Sequence, residues 1–330
     1  MLTSVATGFR LLHGYLYDRD AGMLKALKED RADFTLLDQY GSDWVNLCFD
    51  DRIPFWLAKH GVLALQTEFR HARFKLPRSW DCVSAWDATR QHHNRLPLDK
   101  MLLDFMSAVA LSWGLEDDSK ALHLIAFSVL IKVGFHALLR PGELIGLRAK
   151  DVNVSELWDA RQYLVIAIAS PKTRRFGGGH QHVFIRDPSC VAWMRWRTKD
   201  LHPIVKLWPS TSHMYRAWFS RVLSRCGLGD FRFTPGSLRA GGTTFMVTEG
   251  IDLTRIQFLG RWKSNNSLNV YVQEAMTSLT WIRLSESLKA QIRLTVMEST
   301  QISYLPPVAP WWFLFSRSVQ WRCTVRNRKL

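Results

Sequence analysis

The chain has 330 residues, 47% of them hydrophobic and 22% charged, a composition typical of a globular protein long enough for two domains. Its formal net charge of +15 favours a polyanionic partner, either nucleic acid or an anionic membrane surface. Five scattered cysteines form no CxxC or Cys/His cluster, which argues against a zinc site or a disulfide framework and for a reducing, intracellular compartment.

The first 95 residues predict a lead-in followed by a small helical domain. Residues 1–30 carry weak signals and are expected to be a poorly ordered lead-in. From about Leu36 apolar residues recur at helical spacing, so 31–95 is assigned to a helical N-terminal domain. The segment 91–97 is polar and ends in proline, which is typical of a linker. A larger domain is therefore expected over 96–300.

The sequence of the larger domain predicts mainly α-helices with one small antiparallel β-sheet. Ala121–Leu139 is almost apolar enough to span a bilayer, but Lys132 lies inside it, so we expect a buried core helix. Runs of β-forming residues at Tyr163–Ala169 and His182–Ile185 flank a glycine-rich turn and predict a hairpin. Helical periodicity then resumes, with an apolar stripe formed by Tyr215, Trp218, Phe219, Val222 and Leu223.

Basic residues are concentrated in the second half of the chain. Between Lys172 and Arg239 there are thirteen Lys/Arg and three acidic residues, a net of +10. Such a region is either a solvated basic surface or a face that binds nucleic acid, and charge alone does not decide between them. Residues 301–330 are basic and rich in tryptophan without a clear period, and we assign them to an appended tail.

Four short segments carry the residues that indicate a function: HALLRPGELIGL (136–147), SPKTRR (170–175), TPGSLRAGGTT (234–244) and LGRWKSNNSLNVYV (259–272). Together they resemble the motifs of the tyrosine recombinases, the phage-integrase superfamily of DNA breaking-rejoining enzymes. Arg140 matches the family's first arginine, Arg239 the arginine of its HxxR box, Trp262 a position held by His or Trp, and Tyr271 the nucleophile. Arg239 and Trp262 are 23 residues apart, and Trp262 and Tyr271 are nine residues apart. Both spacings suit the family. Lys172 lies on the predicted hairpin turn, where the family keeps its catalytic lysine.

The resemblance implies phosphoryl-transfer chemistry without a metal or another cofactor. Arg140 and Arg239 would bind the nonbridging oxygens of a phosphodiester, because guanidiniums are bidentate donors that stay protonated. Lys172 would protonate the leaving 5′ oxygen. Tyr271 would form a 3′-phosphotyrosine, and Trp262 would donate its indole N–H toward the phosphate.

The resemblance also implies a partner, an assembly and a domain arrangement. Double-stranded DNA is the expected partner, with no membrane, and self-association into a tetramer on DNA follows the family pattern. A helical core-binding domain and a mixed α+β catalytic domain would close around the duplex. Arg174, Arg175, Arg261 and Lys263 are further DNA-binding candidates. The boxes LLRPGEL and SLRAGG are more similar to those of eukaryotic mobile-element recombinases, and a eukaryotic source would place the protein in the nucleus.

One position departs from the family pattern. The HxxR box reads Gly236-Ser237-Leu238-Arg239, so glycine stands where the family has histidine. Either the site works at a reduced rate or the chain is a DNA-binding module that kept the fold and lost the chemistry. A third reading, a basic adaptor on an anionic membrane, leaves the order of the four motifs unexplained. Two alternatives stay open for Gly236: either histidine there would restore a donor toward the phosphate, or Pro235-Gly236 forms a turn in which glycine takes a positive φ.

Overall fold

The computed structural model describes residues 2–90, 95–156, 162–169, 181–264 and 268–303. The chain divides into two compact units, Met1–His93 and Asn94–Leu330. The division falls within the segment 91–97 that the sequence predicts as a linker, and we describe each unit by itself.

The first unit is a bundle of five helices: α1 (Leu2–Arg19), α2 (Ala21–Lys28), α3 (Phe34–Asp50), α4 (Phe55–Glu68) and α5 (Pro77–Thr89). The prediction of a poorly ordered lead-in over 1–30 is wrong, because α1 and α2 bury Leu12, Leu16 and Leu27 completely. Gly8 lets α1 approach α4 closely, since a Cβ there would lie 2.6 Å from the carbonyl oxygen of Leu57. The apolar face of α1 therefore has a partner that its local sequence does not reveal.

The second unit contains nine described helices: α6 (Lys100–Glu116), α7 (Asp118–His136), α8 (Pro141–Gly146), α9 (Pro188–Thr198), α10 (Ser212–Arg225), α11 (Ser237–Thr248), α12 (Leu253–Gly260), α13 (Glu274–Arg283) and α14 (Glu286–Ser303). Among the described helices α7 alone is long and apolar enough to cross a membrane, and 61% of its apolar window is buried inside the protein. Its buried Lys132 donates to Asp104 of α6 at 2.7 Å, which neutralises the charge within the unit. The burial agrees with the prediction of a core helix.

The sheet of this unit has three antiparallel strands in the order β1 (Val152–Val154), β2 (Leu164–Ile168) and β3 (Gln181–Ile185). The central pairing sets Ile166 opposite Val183 and directs both side chains into the core. The prediction of a mostly helical fold with one small antiparallel sheet is confirmed. The sequence did not reveal β1, because three residues are too few to show alternation.

Helix α11 runs through the centre of the second unit, and its small residues allow this. All eight residues from 237 to 244 are buried. A Cβ on Gly241 would lie 1.9 Å from the carbonyl oxygen of Leu98, and one on Gly242 would lie 2.1 Å from that of Phe135. The helix is therefore held between the segment that precedes α6 and the end of α7. Arg239 projects from this buried helix.

Candidate active site

Arg239 is the central side chain of the site, and it is 1% exposed. Its two terminal nitrogens donate to the carbonyl oxygens of Leu138 and Gly260, which follow α7 and end α12. Leu138 has a φ of 49°, a left-handed conformation that is unusual for a leucine and that accompanies the inward direction of its carbonyl. Arg239 thus ties together the two chain segments that carry the first and fourth motifs.

Two aromatic rings cover the Arg239 guanidinium. Its Cζ lies 4.2 Å from the ring centre of Trp262 and 5.5 Å from that of Tyr271. The two rings are themselves 5.1 Å apart and inclined by 52°. A cation over aromatic faces is attracted by the ring quadrupoles, and the attraction strengthens when water is excluded. Three residues that the sequence motifs single out therefore meet in one place.

Tyr271 lies in a short turn between α12 and α13, and Thr244 fixes that turn to α11. The Thr244 hydroxyl donates to the carbonyl oxygen of Tyr271 at 3.0 Å and accepts from the backbone N–H of Gln273 at 3.3 Å. Tyr271 is half-buried, so its ring is held by the core while part of it reaches solvent. Such placement suits a group that must meet a macromolecular substrate.

A single carboxylate joins two further arginines of the site. Glu143, on the first turn of α8, accepts from Arg140 Nη1 at 2.9 Å and from Arg261 Nη2 at 2.7 Å. It also accepts from the backbone N–H of Arg140 at 3.0 Å and so caps α8. Arg261 ends α12 with a φ of 59° and reaches the carbonyl of Leu138 as well, at 3.4 Å. Arg140 is the most exposed of the three arginines, with 25% of its side chain accessible.

The electrostatics of the site favour an anion. Among the described residues of the site, the one carboxylate of Glu143 faces the three guanidiniums of Arg140, Arg239 and Arg261. Burial first, and then the charges of Arg140 and Arg261, lower the pKa of Arg239 to about 9. Burial also lowers the pKa of Arg261, against the effect of Glu143. Within the described chain, Arg239 Nε and two nitrogens of Arg261 are buried without a hydrogen-bond partner. A bound anion would offset this excess of positive charge.

The remaining predicted residues fall in different places. Lys172, Arg174 and Arg175 lie outside the described residues. Lys263 is exposed at the surface. Arg261, a DNA-binding candidate in the sequence, has a side chain that is 7% exposed and paired with Glu143, so it belongs to the internal cluster. Its position at the left-handed end of α12 turns it inward.

Gly236 does not have the positive φ of the alternative in which Pro235-Gly236 forms a turn. Its φ of −72° and ψ of −18° are right-handed helical values that any residue adopts. A Cβ there would lie 2.2 Å from Arg95 Nη1, so glycine leaves room for the end of that side chain. Among the described residues no cluster of His, Cys, Asp and Glu has the geometry of a metal site.

Sequence reasoning missed two participants, Thr244 and the shared role of Glu143. The capping position of Glu143, three residues after Arg140, was visible in the sequence, but its second partner Arg261 comes from a distant helix. Thr244 belongs to the third motif, and its role depends on the chain path that returns at Tyr271. Only the tertiary structure reveals either contact.

Comparisons with known proteins identify the fold. No protein-family model matches the chain, and no curated protein matches it significantly. Among solved structures, the Tn1549 transposon integrase in complex with a circular intermediate DNA matches with a TM-score of 0.50 and 15% identity over 84% of this chain and 99% of that one. The same integrase in complex with transposon right end DNA has a TM-score of 0.49 and 14% identity, over 87% of this chain and 98% of that one. The XerH site-specific recombinase bound to a palindromic difH substrate has a TM-score of 0.47 and 14% identity, over 73% of this chain and 69% of that one. These neighbours are tyrosine recombinases and integrases, and at this identity the likeness shows the fold alone. The eukaryotic mobile-element origin finds no support among them.

Proposed function

We propose that this protein cleaves and rejoins DNA strands through a 3′-phosphotyrosine formed on Tyr271, in site-specific recombination or the integration of a mobile element. The observation that carries the proposal is the convergence of Tyr271, Trp262 and Arg239 within about 6 Å of one another, the range of a cation–π contact. Arg239 comes from the third motif, and Trp262 and Tyr271 come from the fourth. They meet on a fold shared with tyrosine recombinases.

The first chemical step is an in-line displacement at phosphorus. The Tyr271 phenol loses its proton to solvent as its oxygen forms a bond to phosphorus, the bond to the 5′ oxygen breaks, and Lys172 gives that oxygen a proton. Arg140 and Arg239 stabilise the charge that develops on the nonbridging oxygens. Arg140 supplies the accessible guanidinium, while Arg239 supports the pocket from inside.

Rejoining is the reverse displacement. A 5′ hydroxyl gives its proton to Lys172 and attacks the phosphotyrosine, the phosphorus–tyrosine bond breaks, and the phenol takes a proton from solvent. The phosphotyrosine preserves the energy of the phosphodiester, so no nucleotide cofactor or metal is required. In this proposal the protein acts on double-stranded DNA as an assembly of several copies, and Arg174, Arg175 and Lys263 contact the backbone beyond the reacting phosphate.

Gly236 favours a second candidate function, a DNA-binding protein that retains the fold without the chemistry. The family's histidine at this position supplies a donor to the phosphate or helps with proton transfer. A glycine side chain can do neither. Under this alternative the basic residues would still bind duplex DNA, and Tyr271 would remain unmodified.

A suicide substrate separates the two candidates. Duplexes that the protein retains from a random pool would be rebuilt with a nick close to each possible cleavage position, so that the short cleaved fragment diffuses away. The recombinase proposal expects a protein–DNA band that survives denaturing electrophoresis and disappears after protease treatment. If duplexes are retained but no such band forms at any nick position, the DNA-binding function would replace the recombinase proposal.

A further inference from the structure

The space that Gly236 leaves open is occupied by the side chain of Arg95. A Cβ on Gly236 would lie 2.2 Å from Arg95 Nη1 and 2.7 Å from both Cδ and Cζ. The end of the Arg95 side chain therefore lies where a side chain at 236 would begin, and any other residue there would have to displace it. The backbone of Gly236 is ordinary, so nothing else in its conformation calls for glycine.

The main chain near Arg95 is fixed against the start of α11. The backbone N–H of Leu98 donates to the carbonyl oxygen of Ser237 at 3.1 Å, and the Leu98 side chain is fully buried. Gly241 admits the Leu98 backbone at a distance that any Cβ would prevent. Arg95 therefore extends from an anchored segment to the residue that opens the HxxR box, three residues before Arg239.

The charge of Arg95 is not neutralised by the protein. Within the described chain Arg95 makes no ion pair and no hydrogen bond, and its side chain is exposed. A cation beside the first turn of a helix is also opposed by the helix dipole, which favours anions there. An anion close to Gly236 would relieve both effects at once.

We propose that Arg95 takes over the phosphate contact of the missing box histidine, a proposal that rests on the proposed function. Its guanidinium offers two parallel N–H donors and a permanent charge to a nonbridging oxygen. Because arginine stays protonated at working pH, Arg95 stabilises charge without accepting a proton, and proton transfer is left to Lys172 and solvent. In this proposal Gly236 leaves the space that the Arg95 side chain occupies, and Arg95 comes from the segment that precedes α6.

The first test uses cleavage of the suicide duplex by four variants. Arg95→Ala is expected to lower the cleavage rate by about 10²–10³, the effect of removing one donor to a developing oxyanion. The double variant Arg95→Ala with Gly236→His is expected to recover most of that loss and to gain a rate step near the pKa of histidine, about 6.5, which the unmodified protein lacks. Arg95→Gln removes the charge but keeps a shorter polar side chain. Arg10→Ala, at an exposed arginine of the first unit, is the matched control.

The second test does not depend on activity. Thermal unfolding is followed against inorganic phosphate at constant ionic strength. We expect phosphate to stabilise the unmodified protein and Arg10→Ala alike, and Arg95→Ala and Arg95→Gln to weaken the apparent phosphate affinity by about tenfold or more. Circular dichroism confirms that each variant is folded.

The outcomes separate this inference from the proposed function. If the unmodified protein cleaves DNA and both Arg95 variants cleave at the unmodified rate, the inference is overturned and the recombinase proposal stands. If nothing cleaves but phosphate protection falls in both Arg95 variants, the anion site stands and the recombinase proposal fails. If nothing cleaves and phosphate protects all variants equally, or none, both fail.

Discussion

Arg261 donates to Glu143 across 2.7 Å inside the site, and both side chains are more than nine-tenths buried, at 7% and 5% exposed. The same carboxylate holds Arg140. A buried ion pair gains little over apolar packing, but removing one partner leaves an uncompensated charge. The site therefore depends on one acidic residue that takes no part in bond making.

Glu143→Gln is expected to lower the free energy of unfolding by about 3–5 kcal/mol, since the amide can still cap α8 but leaves Arg261 without a counterion. Urea unfolding followed by tryptophan fluorescence measures it. Glu286→Gln removes a carboxylate that is 83% exposed and is the control, with little change expected. Equal effects of the two substitutions would contradict the structure of the cluster.

Thr244→Val keeps the shape of the side chain and removes the hydroxyl that holds the Tyr271 turn. Cleavage is expected to fall by roughly 10–100-fold, because misplacing a nucleophile by about 1 Å is costly, while DNA affinity stays the same. Thr244→Ser should retain the rate, and Thr248→Val, on the exposed end of α11, should leave it unchanged. If Ser and Val are equally slow, the effect comes from packing and the hydroxyl does not position Tyr271.

Tyr271→Phe is expected to abolish the covalent adduct and to change the dissociation constant for duplex DNA by less than about threefold, since one exposed polar contact contributes little to binding. The ring keeps its contact with Trp262, so the fold is retained. Tyr17→Phe, on an exposed tyrosine of α1, is the control. An adduct that persists in Tyr271→Phe would assign the nucleophile to another residue.

Affinity for duplex DNA is expected to fall steeply with salt. Each phosphate that the protein neutralises contributes about 0.9 log units of affinity per log unit of salt, so several contacts give a slope of about −4 or steeper. Fluorescence anisotropy over a salt series measures the slope. A slope near zero would remove DNA as the partner and, with it, both candidate functions.

His136 makes stability depend on pH. Burial first, then Lys100 and Lys132, lower its pKa to about 4, although Asp187 at 3.6 Å opposes the shift. The folded state thus holds neutral histidine while the unfolded chain takes up a proton below about pH 6.5. Stability is full above pH 6.5 and falls by about 1 kcal/mol per pH unit from there to pH 4. His136→Asn should remove this part of the dependence, and parallel curves for the two proteins would refute it.

The motifs were sufficient to predict the helical fold, the hairpin and the meeting of Arg239, Trp262 and Tyr271. The helices and the hairpin follow from local periodicity, whereas the meeting of the three site residues was implied by the resemblance of the motifs. They are the features that a single sequence records most directly.

The rest depends on contacts between segments that are far apart. The contact of Gly236 with Arg95 and that of Glu143 with Arg261 could not be predicted from the residues next to them in the sequence. The helix α1 carries leucines at 12 and 16, a helical spacing, but the remaining signals over 1–30 were too weak to predict a helix. Burial against α4 decides its structure.

The close packing of α11 has a consequence for mutational scanning. Residues 237–244 are buried in succession, and Gly241 and Gly242 touch neighbouring main chain. Almost any replacement along this stretch would displace Arg239 and lower activity as strongly as the loss of a reacting group. A mutational scan of this protein would consequently show a continuous run of sensitive positions over 237–244, although the proposed function gives a chemical role to Arg239 alone. Double variants that restore volume on the Leu98 side would separate loss of packing from loss of a reacting group.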